Sequence, residues 1–367
     1  MANRHLSAGL PDFPWDTLAE ETAAARAHPD GIVDLSVGTP VDQTPLIVQQ
    51  ALTGSANAPG YPTVWGSPDL RAAIIEYAVR RWGAPPMTGQ NVATAIGAKE
   101  VVGWLPVLLG LGASDLVVIP KLAYPTYEVG VKMAGARLQR CDDPEQVDGR
   151  PSLIWVNSPA NPHGAIIPPA KMAAWVELAR STGALLASDE CYGEYGWDER
   201  PVSALDERVN GADLSNLLSV FSASKRSNMA GYRAGFLVGD AEIVQELVAV
   251  RKHLGMMVSA PVQAALAVAL GDQDHVSQQR DRYAARRQVM RAALAGAGFH
   301  TENSQGGLYL WATRGEPGRA SVSWLAKRGI LVAPGDFYGP DGANHIRVAM
   351  TATDERIAAA AARLEQG

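Results

Sequence analysis

"SVFSASKRSNMAGYRAGFLVG", from Ser219 to Gly239, is the stretch on which the fold turns. Leu217 to Ser222 ("LLSVFS") reads as a buried strand and Ala234 to Gly239 ("AGFLVG") as the next one. Two serines, a lysine and, eight residues after the lysine, an arginine crowd the turn between them. A lysine directly after a buried strand projects into the crevice at the carboxyl edge of the sheet, where open α/β folds bind their ligands. The competing reading, a solvated loop lysine with a surface arginine, is the ordinary fate of such residues taken alone.

Outward from this stretch the same grammar repeats. "LVVIP" (Leu116 to Pro120), "SLIWVN" (Ser152 to Asn157) and "ALLASDE" (Ala184 to Glu190) are near-continuous apolar runs, as in strands of a mainly parallel sheet covered on both faces. Between them "PAKMAAWVELARSTG" (Pro169 to Gly183) places Met172, Trp175, Val176 and Ala179 at helical spacing, and Gly183 stops the helix. Alternating strands and helices predict an α/β fold with a central sheet flanked by helices. The pattern changes near Gly271, where a long charged helix (about Asp272 to Ala297) leads into "GGLYLWA", another helix and the strand "HIRVAM". A smaller α+β domain with one side of its sheet solvated is expected there, packed by the Pro- and Gly-rich amino-terminal segment. The expected divisions are 1–45 for that segment, 46–270 for the large domain and 271–367 for the small one.

Lysine forms imines with aldehydes. Arg233 offers a planar fork for phosphate oxygens, and Ser222 and Ser224 add hydroxyl donors. Pyridoxal phosphate is a cofactor that needs an imine and a phosphate site together, and other residues fit it. In "ASDECYGEY", Asp189 and Tyr192 follow a buried strand at the same sheet edge as Lys225. A carboxylate there keeps a pyridine nitrogen protonated, and a phenol reaches the ring oxygen. In "NSPANPHGA", Asn157 and Asn161 follow another strand, with Pro162 and Gly164 setting a tight turn. In "TAIGAKE", Gly97 precedes a helix whose first amides, from Ala98 and Lys99, suit a phosphate. Tyr124, in "KLAYPTYEVG", is placed to stack on the pyridine face. Each has a bland alternative: a capping Asp, a common Asn-Pro turn, a structural glycine, a core aromatic.

The 367 residues carry a net charge of −6 with scattered basic residues, which speaks against nucleic acid as a partner and for small molecules. Cys141 and Cys191 are too few for a disulfide framework, and neither sits in a thiol-activating motif. Met1 to Pro11 lacks a signal-peptide pattern, and no apolar run reaches the length of a membrane span. A cytoplasmic protein is expected, without a metal site.

Together these motifs resemble the fold-type I pyridoxal-phosphate enzymes, specifically the class I/II aminotransferases, from "LSVGTP" near Leu35 to "HIRVAM" at Met350. The resemblance implies that Lys225 forms the imine and shuttles the α-proton, that Asp189 pairs with the pyridine nitrogen, and that Asn161 and Tyr192 contact the ring oxygen. It implies that Tyr124 stacks on the ring, while Ala98, Lys99, Ser222, Ser224 and Arg233 form the phosphate cup. Tyr61, in "GYPTVWGSPDLR", is similar to the tyrosine that reaches the phosphate of a neighbouring subunit, which implies a homodimer with shared sites. Arg347 resembles the arginine gripping the substrate α-carboxylate, with the Gly38 backbone beside it. Amino acids and 2-oxo acids, glutamate and 2-oxoglutarate among them, are the implied substrates. The opening "LPDFPWDTLAE…AHPDGIVDLSVGTPVD" is similar to the branch acting on N-succinyl-2-amino-6-oxopimelate, a multiply carboxylated substrate that asks for one further cation. Two departures stand out: His163 replaces the usual threonine of the Asn-Pro-Thr-Gly turn, and Ala98 replaces a hydroxyl. The alternatives are an aspartate, alanine or aromatic aminotransferase, a carbon–sulfur lyase, or a cofactor-sensing regulator, the last lacking room for a DNA-binding module ahead of "GIVDLSVG".

Overall fold

The computed structural model describes residues 9–365, so the amino-terminal reading is outside it for residues 1–8, as are the last two residues. A two-residue strand, β1 (Val33–Asp34), precedes the main sheet. That sheet has seven strands: β2 (Val92–Ala95), β3 (Leu116–Ile119), β4 (Arg137–Arg140), β5 (Leu153–Asn157), β6 (Leu185–Asp189), β7 (Leu217–Ser222) and β8 (Gly235–Gly239). Their spatial order is β2-β8-β7-β6-β5-β3-β4, and only β8 runs against its neighbours. β5, β6 and β7 are buried along their whole lengths.

The pleat explains those apolar runs. Leu153 and Trp155 of β5 point to one face, under the helices Ala98–Leu108 and Thr126–Ala134, with Leu185, Ala187, Leu218 and Val220 alongside. Ile154 and Val156 point to the other, against Met172, Trp175, Val176 and Ala179 of the helix Pro169–Thr182. Gly183 ends that helix with φ 72°, a left-handed conformation that only glycine adopts at little cost.

A four-stranded antiparallel sheet follows, from β9 (His300–Glu302) and β10 (Tyr309–Thr313), then β12 (Ala333–Pro334) and β13 (Ile346–Ala349); the intervening β11 (Ile330–Leu331) pairs in parallel with β1. Leu18, Val33 and Leu35 share one apolar cluster with Met290, Leu310, Val322, Val348 and Ile357. The expectation of a solvated second face is corrected here. Leu310 and Ala312 face the helices, but Tyr309 and Trp311 on the opposite face are 3% and 1% exposed. That face turns toward the large sheet and roofs its cavity, and alternation in one strand does not show what a second layer will cover. Among the described residues no helix is long and apolar enough to cross a membrane.

Beside the Gly97 turn, Arg251 is 1% exposed and donates from Nη1 to the Thr94 carbonyl (2.6 Å) and from Nη2 to Glu100 Oε2 (3.1 Å). Glu100 also accepts from the Ile96 amide at 2.9 Å, fixing the entry to the helix. Removing one partner of a buried ion pair strands the other. Arg251→Met is therefore expected to lower unfolding stability by about 3–5 kcal/mol in a urea titration, and a loss under about 1 kcal/mol would contradict this.

Candidate active site

Three neighbouring strands end at the residues that matter. β5 stops at Asn157, β6 at Asp189 and β7 at Ser222, with Asn157 and Asp189 paired in register. The Asn157 amide donates to the Asp189 carbonyl (2.9 Å), and its Oδ1 accepts from the Asn161 N–H (2.7 Å), which ties the following turn to the β6 end. Asp189 is buried; Tyr127 Oη donates to its Oδ2 at 2.7 Å and the Cys191 amide to its Oδ1 at 3.1 Å. Burial raises its pKa against the pull of the Cys191 and Tyr127 hydrogen bonds. A carboxylate so destabilised as an anion gains strongly from a cationic N–H placed against it.

Lys225 stands on the short turn Ala223–Arg226 immediately after β7, where Ser222 Oγ accepts from the Ser224 amide at 3.1 Å. It is partly buried, and its Nζ donates to the Gly38 carbonyl. Burial lowers its pKa, and Arg347 and Arg233 lower it further against the opposing effect of Tyr309. Burial and the two guanidinium groups thus oppose the charged form of this amine. Tyr192 Oη and Tyr309 Oη lie 2.9 Å apart. Burial pushes the Tyr192 phenol up, whereas in Tyr309 the charges of Arg347 and Lys225 outweigh burial and bring it down.

At one end of the cavity the helix Ala98–Leu108 begins without a side-chain cap, after Gly97 at φ 75°. A Cβ on Gly97 would lie 2.5 Å from Arg233 Nη2, so glycine lets the guanidinium close over the turn. Ala98, Lys99, Ser222, Ser224 and Arg233 all line this end. Uncapped helix amides, two hydroxyls and a guanidinium make a set of donors for a dianion. The missing hydroxyl at Ala98 leaves that set dependent on amides and serines.

At the other end Arg347, 2% exposed on β13, donates from Nη1 to Asn161 Oδ1 (2.8 Å) and from Nη2 to the Ser36 carbonyl (2.7 Å), and its guanidinium carbon lies 3.9 Å from the Tyr309 ring centroid. Its buried Nε has no partner among the described residues. Buried donors are seldom left so, and an incoming carboxylate would satisfy this one. Tyr124 and Lys99 line the same cavity, with Lys99 Nζ 5.9 Å from the ring centroids of both Tyr124 and Phe13.

Of the residues given a catalytic, cofactor or substrate role in the sequence, all but one line this cavity. Tyr61 does not: it is 97% exposed and away from it. Gly38 lies at Lys225 and under Tyr309, the ring on which Arg347 stacks, and Arg347 bonds the Ser36 carbonyl. Sequence reasoning missed Tyr309, Tyr127 and Trp15. Nothing local in "GGLYLWA" or around Tyr127 marks either tyrosine; their polar roles come from partners distant in the chain.

His163 braces the Asn161 turn: its Nδ1 accepts from the Ala165 amide (3.2 Å) and its carbonyl from the Ser304 amide (2.7 Å). Burial lowers its pKa to about 4. The folded value lies below the unfolded one of roughly 6.5, so stability is full above that pH and is lost as pH falls from there toward about 4. His163→Asn, which keeps an acceptor for Ala165, is expected to flatten that part of the pH dependence in thermal unfolding; an unchanged slope would contradict it.

Comparison with known proteins agrees with this geometry. The family model for aminotransferases of class I and II matches residues 30–364. A probable aminotransferase of Mycobacterium tuberculosis is 57% identical over 360 residues, which cover 98% of this chain and 86% of that protein. The 4-dedimethylamino-4-oxo-anhydrotetracycline transaminase of Streptomyces rimosus is 52% identical over 356 residues, covering 97% and 99% respectively. Among solved structures, a probable N-succinyldiaminopimelate aminotransferase from Thermus thermophilus matches with a TM-score of 0.88 at 25% identity, over 96% of this chain and 100% of that one. A lysine at a strand end, a buried acid beside it and donors for a phosphate and a carboxylate fit the cofactor of that family, and the chain belongs to the pyridoxal-phosphate-dependent class I and II aminotransferases of fold type I.

Proposed function

We propose that Lys225 is the attachment point of the cofactor and the base of amino transfer, with Asp189 and Tyr192 as its catalytic partners. The observation that carries this reading is the convergence of the Lys225 amine, the buried Asp189 carboxylate and the half-satisfied Arg347 guanidinium on one cavity. When bound, pyridoxal phosphate supplies an aldehyde for amines and a protonated ring that withdraws electron density from the substrate α-carbon. Lys225 Nζ takes the α-proton of the amino acid and returns it on the far side of the transfer. Asp189 would hold the proton on the ring nitrogen, Tyr192 and Asn161 would donate to the ring oxygen, and Tyr124 would pack on the ring. The backbone amides of Ala98 and Lys99, with Ser222, Ser224 and Arg233, would hold the phosphate. Arg347 orients the α-carboxylate through its free Nε, with the Gly38 backbone closing that side.

Tyr61 belongs, in this reading, to the phosphate site of a second copy, making the working unit a homodimer. Its fully exposed ring supports that assignment. Units 1–45, 46–270 and 271–367 are the proposed domains, and the free Cys141 and Cys191 fit a reducing cytoplasm.

Glutamate is the proposed amino donor and N-succinyl-2-amino-6-oxopimelate the acceptor. Lys99 supplies the further cation that a distal carboxylate needs, from a wall shared with Phe13 and Tyr124. The structural similarity to the probable N-succinyldiaminopimelate aminotransferase of Thermus thermophilus supports this choice. A second reading, amination of a ring ketone, is favoured by the 52% identity to the Streptomyces transaminase and by the aromatic lining from Trp15, Tyr124 and Tyr309.

Mixing the yellow enzyme with single amino acids and following its bleaching separates these readings. Glutamate and N-succinyl-diaminopimelate are expected to convert it, and conversion by neither would remove the dicarboxylate assignment. Dominant release of pyruvate and ammonia from cysteine conjugates would instead identify a lyase. Lys225→Ala is expected to lose turnover and the covalent cofactor band while its far-ultraviolet circular dichroism is unchanged. Lys99→Gln is expected to raise KM for the dicarboxylic substrates by about 10-fold and leave alanine almost unaffected, as loss of one charge-assisted contact predicts; equal losses on both would show that Lys99 does not read the distal group.

A further inference from the structure

Lys225 rides on a helical turn of only four residues, Ala223–Arg226. A helix end leaves its first amides and last carbonyls without internal partners, and in so short a turn that is nearly every group. The position of this turn is therefore set from outside. The loop that carries Asp189 and Tyr192 continues into Glu194 and Tyr195, and both reach the Lys225 segment. Tyr195 Oη donates to the Lys225 carbonyl at 2.7 Å. Glu194, 8% exposed, accepts from Arg226 Nε at 3.1 Å, Arg81 Nε at 2.8 Å and Tyr77 Oη at 2.9 Å. Burial pushes the Glu194 pKa up, but Arg81 and Arg226 outweigh it and keep the carboxylate charged.

Arg226, adjacent to Lys225 and 4% exposed, also donates to the Ala269 carbonyl (2.5 Å), the Asp272 carbonyl (3.3 Å), Ser227 Oγ (3.2 Å) and Gln273 Oε1 (3.4 Å), where one helix of the large unit ends and the long helix Asp274–Gly296 begins. Its guanidinium lies 5.1 Å from the Tyr77 ring centroid. None of these groups lines the cavity, yet together they clamp the residue next to the reacting amine.

We propose that Glu194 is a positioning residue for amino transfer: acting through Arg226, it fixes the turn from which Lys225 reaches the reacting atoms. The inference rests on Lys225 having the role assigned above. Loss of the Glu194 charge removes the ionic anchor of Arg226, and a shift of about 1 Å in a reacting group costs on the order of 100-fold in rate. Arg347 and Asn161 stand on other elements, so substrate affinity is untouched.

The test uses the holoenzyme. Glu194→Gln is expected to lower kcat by about 10- to 100-fold with KM for glutamate within about 3-fold, and to weaken the visible circular dichroism that reports a fixed cofactor orientation. Arg226→Gln should behave alike, and the double variant should be no worse than the poorer single one, because the two act in series. Arg81→Gln removes a partner of the same carboxylate remote from Lys225; it should lower the melting temperature and spare kcat and the dichroism. If Glu194→Gln does not fold, Arg226→Lys carries the same split between kcat and KM. Wild-type kcat and dichroism in Glu194→Gln, additive losses in the double variant, or an equal kcat loss in Arg81→Gln would overturn the positioning role. Turnover surviving in Lys225→Ala would remove the underlying assignment instead, so the two failures are distinguishable.

Discussion

The side-by-side ending of β5, β6 and β7 is the constraint on which the site depends. Parallel neighbours bring Asn157, Asp189 and Ser222 to one edge, and the chain leaves that edge three times carrying an amide, an acid and an amine. No long-range search is needed to assemble them, because the sheet's register already has. The small sheet then closes the crevice with Tyr309 and Arg347 from β10 and β13, whose residues Trp311 and Arg347 face each other across the ladder.

Desolvation gives these groups their chemical character. The same burial raises the Asp189 carboxyl and lowers the Lys225 amine, so it opposes the charged form of each. Such a pair is costly to the fold and useful to a reaction, since a bound cation beside the acid and a carbonyl carbon beside the amine relieve both. Arg347, by contrast, stays charged under three aromatic rings, and its stacking on Tyr309 compensates part of the lost hydration. Glu194 extends this logic one layer out, where two arginines keep a buried carboxylate ionised at the back of the lysine turn.

Much of this was legible in the primary structure because buried parallel strands write themselves as continuous apolar runs, and the residue after each run stands at the ligand-binding edge. Lys225, Asp189 and Asn157 follow from that rule alone, and the family resemblance led to Arg347. What was not legible depends on a second layer. Tyr309 looks like any strand aromatic until β10 is seen to pack its outer face on Tyr192, and the exposed second face expected for the small sheet disappears for the same reason. Tyr127 has a polar partner 62 residues away, a separation no local pattern encodes. Glu194 and Arg81 are spaced like surface charges, and only the packing of the helix Pro68–Trp82 against the lysine turn brings them inside.

Reduction of the cofactor-loaded protein with borohydride, followed by proteolysis and peptide mass mapping, tests the lysine assignment most directly. The reduced pyridoxyl phosphate mass is predicted on the peptide containing Lys225 and on no other. Its appearance on Lys99, the other lysine at the cavity, or on no peptide at all, would contradict the role given to the amine at the end of β7.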